Sequence, residues 1–136
     1  MGLRYSGENY LKSIFLLHQE QSVVRSVDIA ERLGFTKASV SRMLKNLARD
    51  GFVAVNDNNV CLTEKGLYAA SGIYERFSTI FDFLADFLEI PLDIAARDAG
   101  GMEHIISDET LCALQKLLVK KGTGDPSDYI SDTVSD

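Results

Sequence analysis

Residues 26–51 read SVDIAERLGFTKASVSRMLKNLARDG, and this stretch limits the possible folds more than any other. Ser26 is a fitting N-cap for VDIAERL, with Asp28 in the first turn, where the helix dipole favours an anion. Gly34 ends that short helix, because glycine tolerates the left-handed conformation just past a C-terminus. Only Phe35 then separates Gly34 from Thr36, a cap for the next helix, KASVSRMLKNLARD. Val40, Met43, Leu44 and Leu47 fall on one face of it, and Gly51 is placed to stop it. Two short amphipathic helices joined by so tight a turn form a helix-turn-helix.

The flanking segments extend the motif. From Glu8 to about Gln19, apolar residues at 10, 11, 14, 15 and 17 give a first amphipathic helix. After Gly51, FVAV and VCLT alternate apolar and polar residues around NDNN, which predicts a β-hairpin. Helix, helix-turn-helix and hairpin make a winged helix over residues 1–70. Thr63 caps a long helix that ends before Pro91, with a break expected near Ser71-Gly72. A helix over about 93–106 follows, and Ser107 caps a last one, DETLCALQKLLVKK, stopping near Gly122. The expected fold is mainly α: an N-terminal winged helix-turn-helix, then an α-helical domain over 71–121. An acidic tail over 122–136 is expected to be disordered.

Charge separates these regions. The net charge is -6, yet residues 1–70 carry nine lysines and arginines against seven acids, and residues 71–136 carry five against thirteen. A weakly basic front and a strongly acidic back suggest different partners. No apolar run has membrane-spanning length, and the N-terminus lacks a signal core. MGLRYS fits a loose myristoylation pattern, but any start methionine followed by a small residue comes close to doing so. Cys61 and Cys112 lie on apolar patterns and are expected to be buried free thiols in a reducing cytoplasm. No nucleophile–base pair, phosphate loop or acid pair marks an enzyme.

The face of the second motif helix opposite its apolar stripe carries Lys37, Ala38, Ser41, Arg42 and Lys45. Small residues (Ala38, Ser39, Ser41) let a helix lie close in the major groove of double-stranded DNA. Arg42 has the fork that reads guanine, and Lys37 and Lys45 suit phosphates. Thr36, as cap, leaves N–H groups to meet a phosphate, and Arg25 and Ser26 are candidate backbone clamps. Fold, groove-compatible small residues and local positive balance favour DNA; the alternative is that these charges only solvate an exposed helix in a protein-docking winged helix. His18, in the first helix, is expected to be solvated.

The stretches ENYLKSIFLL, VDIAERLGFTKASVSRMLKNLARDGFV, LTEKG and GMEHIISDE together resemble the metal-dependent repressor family that includes the diphtheria toxin repressor and the manganese transport regulator. The resemblance covers residues 5 to about 121 and implies a cytoplasmic homodimer of the short, two-domain type. Its winged helix would bind a palindromic operator, and its later helices would carry the dimer interface and the metal site. The apolar ring Ile80, Phe81, Phe83, Leu84, Phe87 and Leu88 suits such an interface.

The resemblance also implies where ligands should stand. The first-helix ligand falls at Asn9, and the second carboxylate of the manganese branch falls at Lys12. The histidine that follows Arg76 in the family is Phe77 here, and the carboxylate or cysteine three residues before Glu103 is Gly100. Further iron-branch positions are Phe81 and Ala96. Glu103 and His104 remain, with the Asn9 amide as a weak third donor. Mn²⁺ or Fe²⁺ is therefore expected to bind weakly or not at all, because such ions need four to six donors. Asn9 and Lys12 share one helix face, so an ammonium is expected to stand in for the metal beside Glu103, unless it points to solvent. The alternatives are a fully metal-activated repressor that recruits carbonyls, water or Asp98, and a regulator sensing an organic effector in the space left at Phe77 and Gly100.

Overall fold

The structure, a computed structural model, describes residues 5–122. The myristoylation pattern and the acidic tail lie outside or largely outside them. The fold class is as expected: six α-helices and one hairpin among the described residues. The chain divides into two compact units after Tyr74.

In the first unit, α1 (Tyr5–Glu20), α2 (Ser26–Leu33) and α3 (Lys37–Arg49) enclose one apolar core. Tyr10, Leu11, Ile14 and Leu17 enter it from α1, Ile29 and Ala30 from α2, and Val40, Leu44 and Leu47 from α3. Gly34 is left-handed (φ 72°) and its N–H donates to the Ala30 carbonyl at 2.9 Å, ending α2 as expected. Ser26 does not cap α2; it is the first helical residue, and Arg25 holds the cap position. The Arg25 N–H donates instead to the Asp28 carboxylate at 2.9 Å. That bond sets the cap one residue earlier, at Arg25, and the carboxylate also meets the positive end of the helix dipole.

The wing is β1 (Val53–Asn56) paired antiparallel with β2 (Asn59–Leu62), with Val53 opposite Leu62 and Asn56 opposite Asn59. Asp57 and Asn58 are both left-handed, the two-residue turn that follows the natural strand twist. The Val60 N–H donates to the Val24 carbonyl at 2.7 Å, and the Val24 N–H donates to the Asn59 side chain at 3.2 Å. The polar link before α2 is thereby tied to β2.

Thr63 joins wing to helix. Its hydroxyl donates to the Gly51 carbonyl at 2.6 Å and accepts from the Gly66 N–H at 3.0 Å, capping α4 (Glu64–Asp82). Gly66 lies so close to the wing that a Cβ there would fall 1.9 Å from the Phe52 carbonyl oxygen. The expected break at Ser71-Gly72 is absent, and α4 runs straight through. One glycine costs about 1 kcal/mol in a helix, and the buried Ala70 and Ile73 on either side outweigh that. The helix changes later, widening into a π-helical turn over Phe83–Phe87.

In the second unit, α5 (Leu92–Met102) stops short of the expected end, so Glu103 and His104 lie in a turn beyond the helix. Gly100 and Gly101 weaken the last turn, and the Met102 carbonyl accepts from both Ile105 and Ile106, closing it tightly. Ser107 caps α6 (Asp108–Gly122) by accepting the Thr110 N–H at 3.1 Å. Neither cysteine is fully buried: Cys61 is half-buried and Cys112 exposed, both free. Leu111 takes the inward position on α6 and its neighbour turns outward. No helix among the described residues is long and apolar enough to cross a membrane.

Candidate functional site

The chemistry collects in two places, one in each unit. The first is the outer face of α3. Lys37, Ala38, Ser41, Arg42 and Lys45 are all exposed on it, while Val40, Leu44 and Leu47 are buried behind. The Thr36 hydroxyl accepts from the Ser39 N–H at 3.1 Å and donates to the Ser39 hydroxyl at 3.0 Å. This rigid cap fixes the N-terminus of α3 and leaves Ser39 half-buried. Arg25 is exposed and Ser26 half-buried at the head of α2.

Beside this face lies a hollow of about 320 Å³. Its lining combines Tyr10 of α1, Phe35 of the turn, and Ser39, Arg42, Met43 and Asn46 of α3. The Tyr10 and Phe35 rings are tilted against each other with centroids 5.9 Å apart. Burial pushes the Tyr10 phenol above its ordinary value, and the Arg42 charge pulls it part of the way back. A one-turn spacing of polar residues at 39, 42 and 46 was visible, but its α1 wall depends on tertiary packing. His18 is likewise not simply solvated. It is half-buried, with Nε2 2.8 Å from the Val60 carbonyl, linking α1 to the wing.

The second place is the turn after α5. Glu103 is 2% exposed and ranks with the core leucines and isoleucines among the most deeply buried side chains. The His104 side chain is 4% exposed, and its Nε2 lies 3.3 Å from Glu103 Oε2. A buried carboxylate is costly unless partnered, so this pair is a candidate site on physical grounds alone. The turn is held by Arg76, which donates to the Ile106 carbonyl at 2.8 Å and to the Asp108 carboxylate at 2.6 Å. Where the family resemblance would place a donor, the Phe77 ring stacks on Phe81 at 5.9 Å. At Gly100 a Cβ would meet nothing within 4 Å, so that ligand position is open rather than filled.

Among the described residues, no group of three or more His, Cys, Asp or Glu side chains is arranged to hold a metal ion. Two donors facing each other across 3.3 Å do not fit a manganese or iron centre, which needs four to six donors spread around the ion. Asn9 and Lys12, both half-buried, lie on α1 in the first unit.

A winged helix with an exposed, cation-bearing second motif helix, followed by a helical unit, defines a class of DNA-binding transcription regulators. Residues 3–59 match the family model described as iron dependent repressor, N-terminal DNA binding domain. Residues 63–126 match that of the iron dependent repressor metal binding and dimerisation domain. The transcriptional regulator MntR of Escherichia coli is 38% identical over 85% of this chain and 74% of its own length. An uncharacterised helix-turn-helix regulator of Methanocaldococcus jannaschii is 33% identical over 83% of this chain and 92% of its own. The solved structure of the manganese regulator SloR superposes with a TM-score of 0.73 at 31% identity, over 82% of this chain and 53% of that one. The chain thus spans about half the length of that structure. It belongs to the iron-dependent repressor family of transcriptional regulators, whose named members here are regulators rather than enzymes.

Proposed function

We propose that this protein is a homodimeric, sequence-specific DNA-binding regulator whose operator binding responds weakly or not at all to Mn²⁺ or Fe²⁺. The observation that supports this reading is the donor set: Glu103 and His104 remain, while Phe77, Gly100 and Lys12 stand where the family resemblance places ligands. DNA contact is assigned to α3, with Arg42 reading a base edge, Ala38, Ser39 and Ser41 permitting close approach, and Lys37 and Lys45 on phosphates. Thr36, Arg25 and Ser26 meet the adjacent backbone. Dimerisation through the second unit is supported by an apolar hollow of about 510 Å³ lined by Ile80, Phe83, Leu84, Met102, Ile105 and Leu114, among others. Leu92 and Ile105, each 67% exposed, add to that surface. A two-fold dimer implies a palindromic operator.

In this reading Lys12 takes the electrostatic role of the ion toward Glu103, an amine where the manganese branch carries a carboxylate. Such a pair contributes about 0.5–3 kcal/mol, less than a chelated ion but enough to bias a domain equilibrium. The test is to select duplexes from a random library with the purified protein, then measure affinity with chelator and with added Mn²⁺ or Fe²⁺. The expected result is the same affinity in all conditions, and a metal response that appears when Lys12→Glu restores a carboxylate. Binding that needs metal in the wild type identifies a fully metal-activated repressor instead and rejects this reading.

A further inference from the structure

We propose that Tyr10 is a positioning residue for DNA recognition: from α1 it fixes the Arg42 guanidinium in the orientation in which it reads its base pair. The inference rests on the assignment of α3 as the DNA-reading helix. It starts from an asymmetry between the two side chains. Tyr10 is 3% exposed and belongs to the core of the first unit, with its ring set against Phe35. Arg42 is exposed and projects from α3 along the strip that also carries Ser39 and Asn46. One is anchored and the other is free to wander, and they line the same 320 Å³ hollow.

The chemistry of the hollow makes the pairing directional. A buried phenol places its hydroxyl against a polar partner. The polar side chains here are Ser6, Ser39, Arg42 and Asn46, and only Arg42 is charged. Guanidinium has five donors and no acceptor, so when Arg42 settles into the hollow it is the phenol oxygen that accepts from it. The charge of Arg42 does act on this phenol, offsetting part of the effect of burial. A long exposed side chain loses much rotamer freedom when it docks, and a fixed acceptor near its tip removes that loss before binding. One donor edge held by Tyr10 leaves the rest of the fork for the O6 and N7 of guanine. Tyr10 lies between Asn9 and Lys12 in the chain. A change in α1 therefore reaches the reading side chain within one unit.

The experiment uses the full chain and a duplex selected by the wild type from a random library. Affinity is measured for that duplex, for each of its single-base-pair variants and for an unrelated duplex. Arg42→Ala is expected to lose about 5- to 100-fold discrimination at one base-pair position. Tyr10→Phe, which keeps the ring and removes only the hydroxyl, is expected to lose about three- to tenfold at that same position. It should leave the melting temperature and the affinity for the unrelated duplex unchanged. The double variant is expected to lose no more than Arg42→Ala. Wild-type discrimination by Tyr10→Phe alongside a loss in Arg42→Ala overturns the role of Tyr10 alone. Full discrimination by Arg42→Ala overturns the assignment of α3 and this inference with it. If Tyr10→Phe melts lower than the wild type, ultraviolet titration decides the matter. Arg42→Ala should then shift one tyrosine ionisation to higher pH, and an unchanged titration overturns the inference.

Discussion

The outer face of α3 and the turn after α5 share one family origin and differ in what each has kept. On α3 the residues that meet the outside are exposed, and those that position them are buried behind: Val40, Leu44 and Leu47 set the helix, and Thr36 caps it. At the turn the arrangement is reversed. Glu103 and His104 are themselves buried, and the positions where the resemblance places further donors hold an aromatic pair and an open glycine. An exposed functional face tolerates change one residue at a time, because each contact is separate. A chelating site does not, because removing one or two of its donors removes the ion. On the reading proposed above, the turn keeps a buried acid beside an imidazole without the ion.

The first way to break the comparison is to attack what supports α3 rather than its face. Gly66→Ala drives a methyl into the Phe52 carbonyl, and neither α4 nor the wing can shift without losing the Thr63 bonds to Gly51 and Gly66. It is expected to cost about 3 kcal/mol or more, read as loss of the cooperative melting transition of the purified chain. Survival of that transition would show the wing to be looser than its contacts imply. The second attacks the turn. Glu103→Ala is expected to cost about 2–3 kcal/mol by chemical denaturation, equally with and without chelator, because it strips the partner from a buried imidazole. A cost that vanishes when metal is removed would restore an ion to the site and erase the contrast drawn here. The third and smallest is Thr36→Ala, about 1 kcal/mol through loss of the cap on α3. A drop in operator affinity larger than that would mean the cap also meets the DNA backbone.

Much of α3 was legible in the sequence because its signals are local. Gly34, Thr36, Thr63 and Ser107 each fix a helix boundary through bonds within a few residues of themselves. Ser26 does not cap because Asp28, two residues on, accepts the Arg25 N–H and sets the cap one residue earlier. The α5 helix ends earlier than expected because Met102, Ile105 and Ile106 continue an apolar rhythm that Gly100 and Gly101 cannot hold as helix. The Tyr10–Phe35 wall beside Arg42 and the His18 contact to Val60 were out of reach. The Tyr10–Phe35 contact spans 25 residues and the His18 contact 42, so each exists only once the core brings α1 against the turn and the wing. The Glu103–His104 pair was visible as a pair, but its depth was not, since a carboxylate beside a histidine reads the same in water and in a core.

The wing closes through Asp57 and Asn58, the tightest turn its strands allow, and residues 53–62 contain no lysine or arginine. A tip of that kind displaces no condensed counterions from a duplex, and its one carboxylate is repelled by phosphates. In the proposed reading, with Arg42 on a base edge, Arg25, Lys37 and Lys45 are the cations assigned to phosphates. Each contributes a slope of about 0.9 in the logarithm of affinity against the logarithm of salt. On that reading the three phosphate contacts of each subunit give a slope of about 2.7, all of it from the helix-turn-helix and none from the wing.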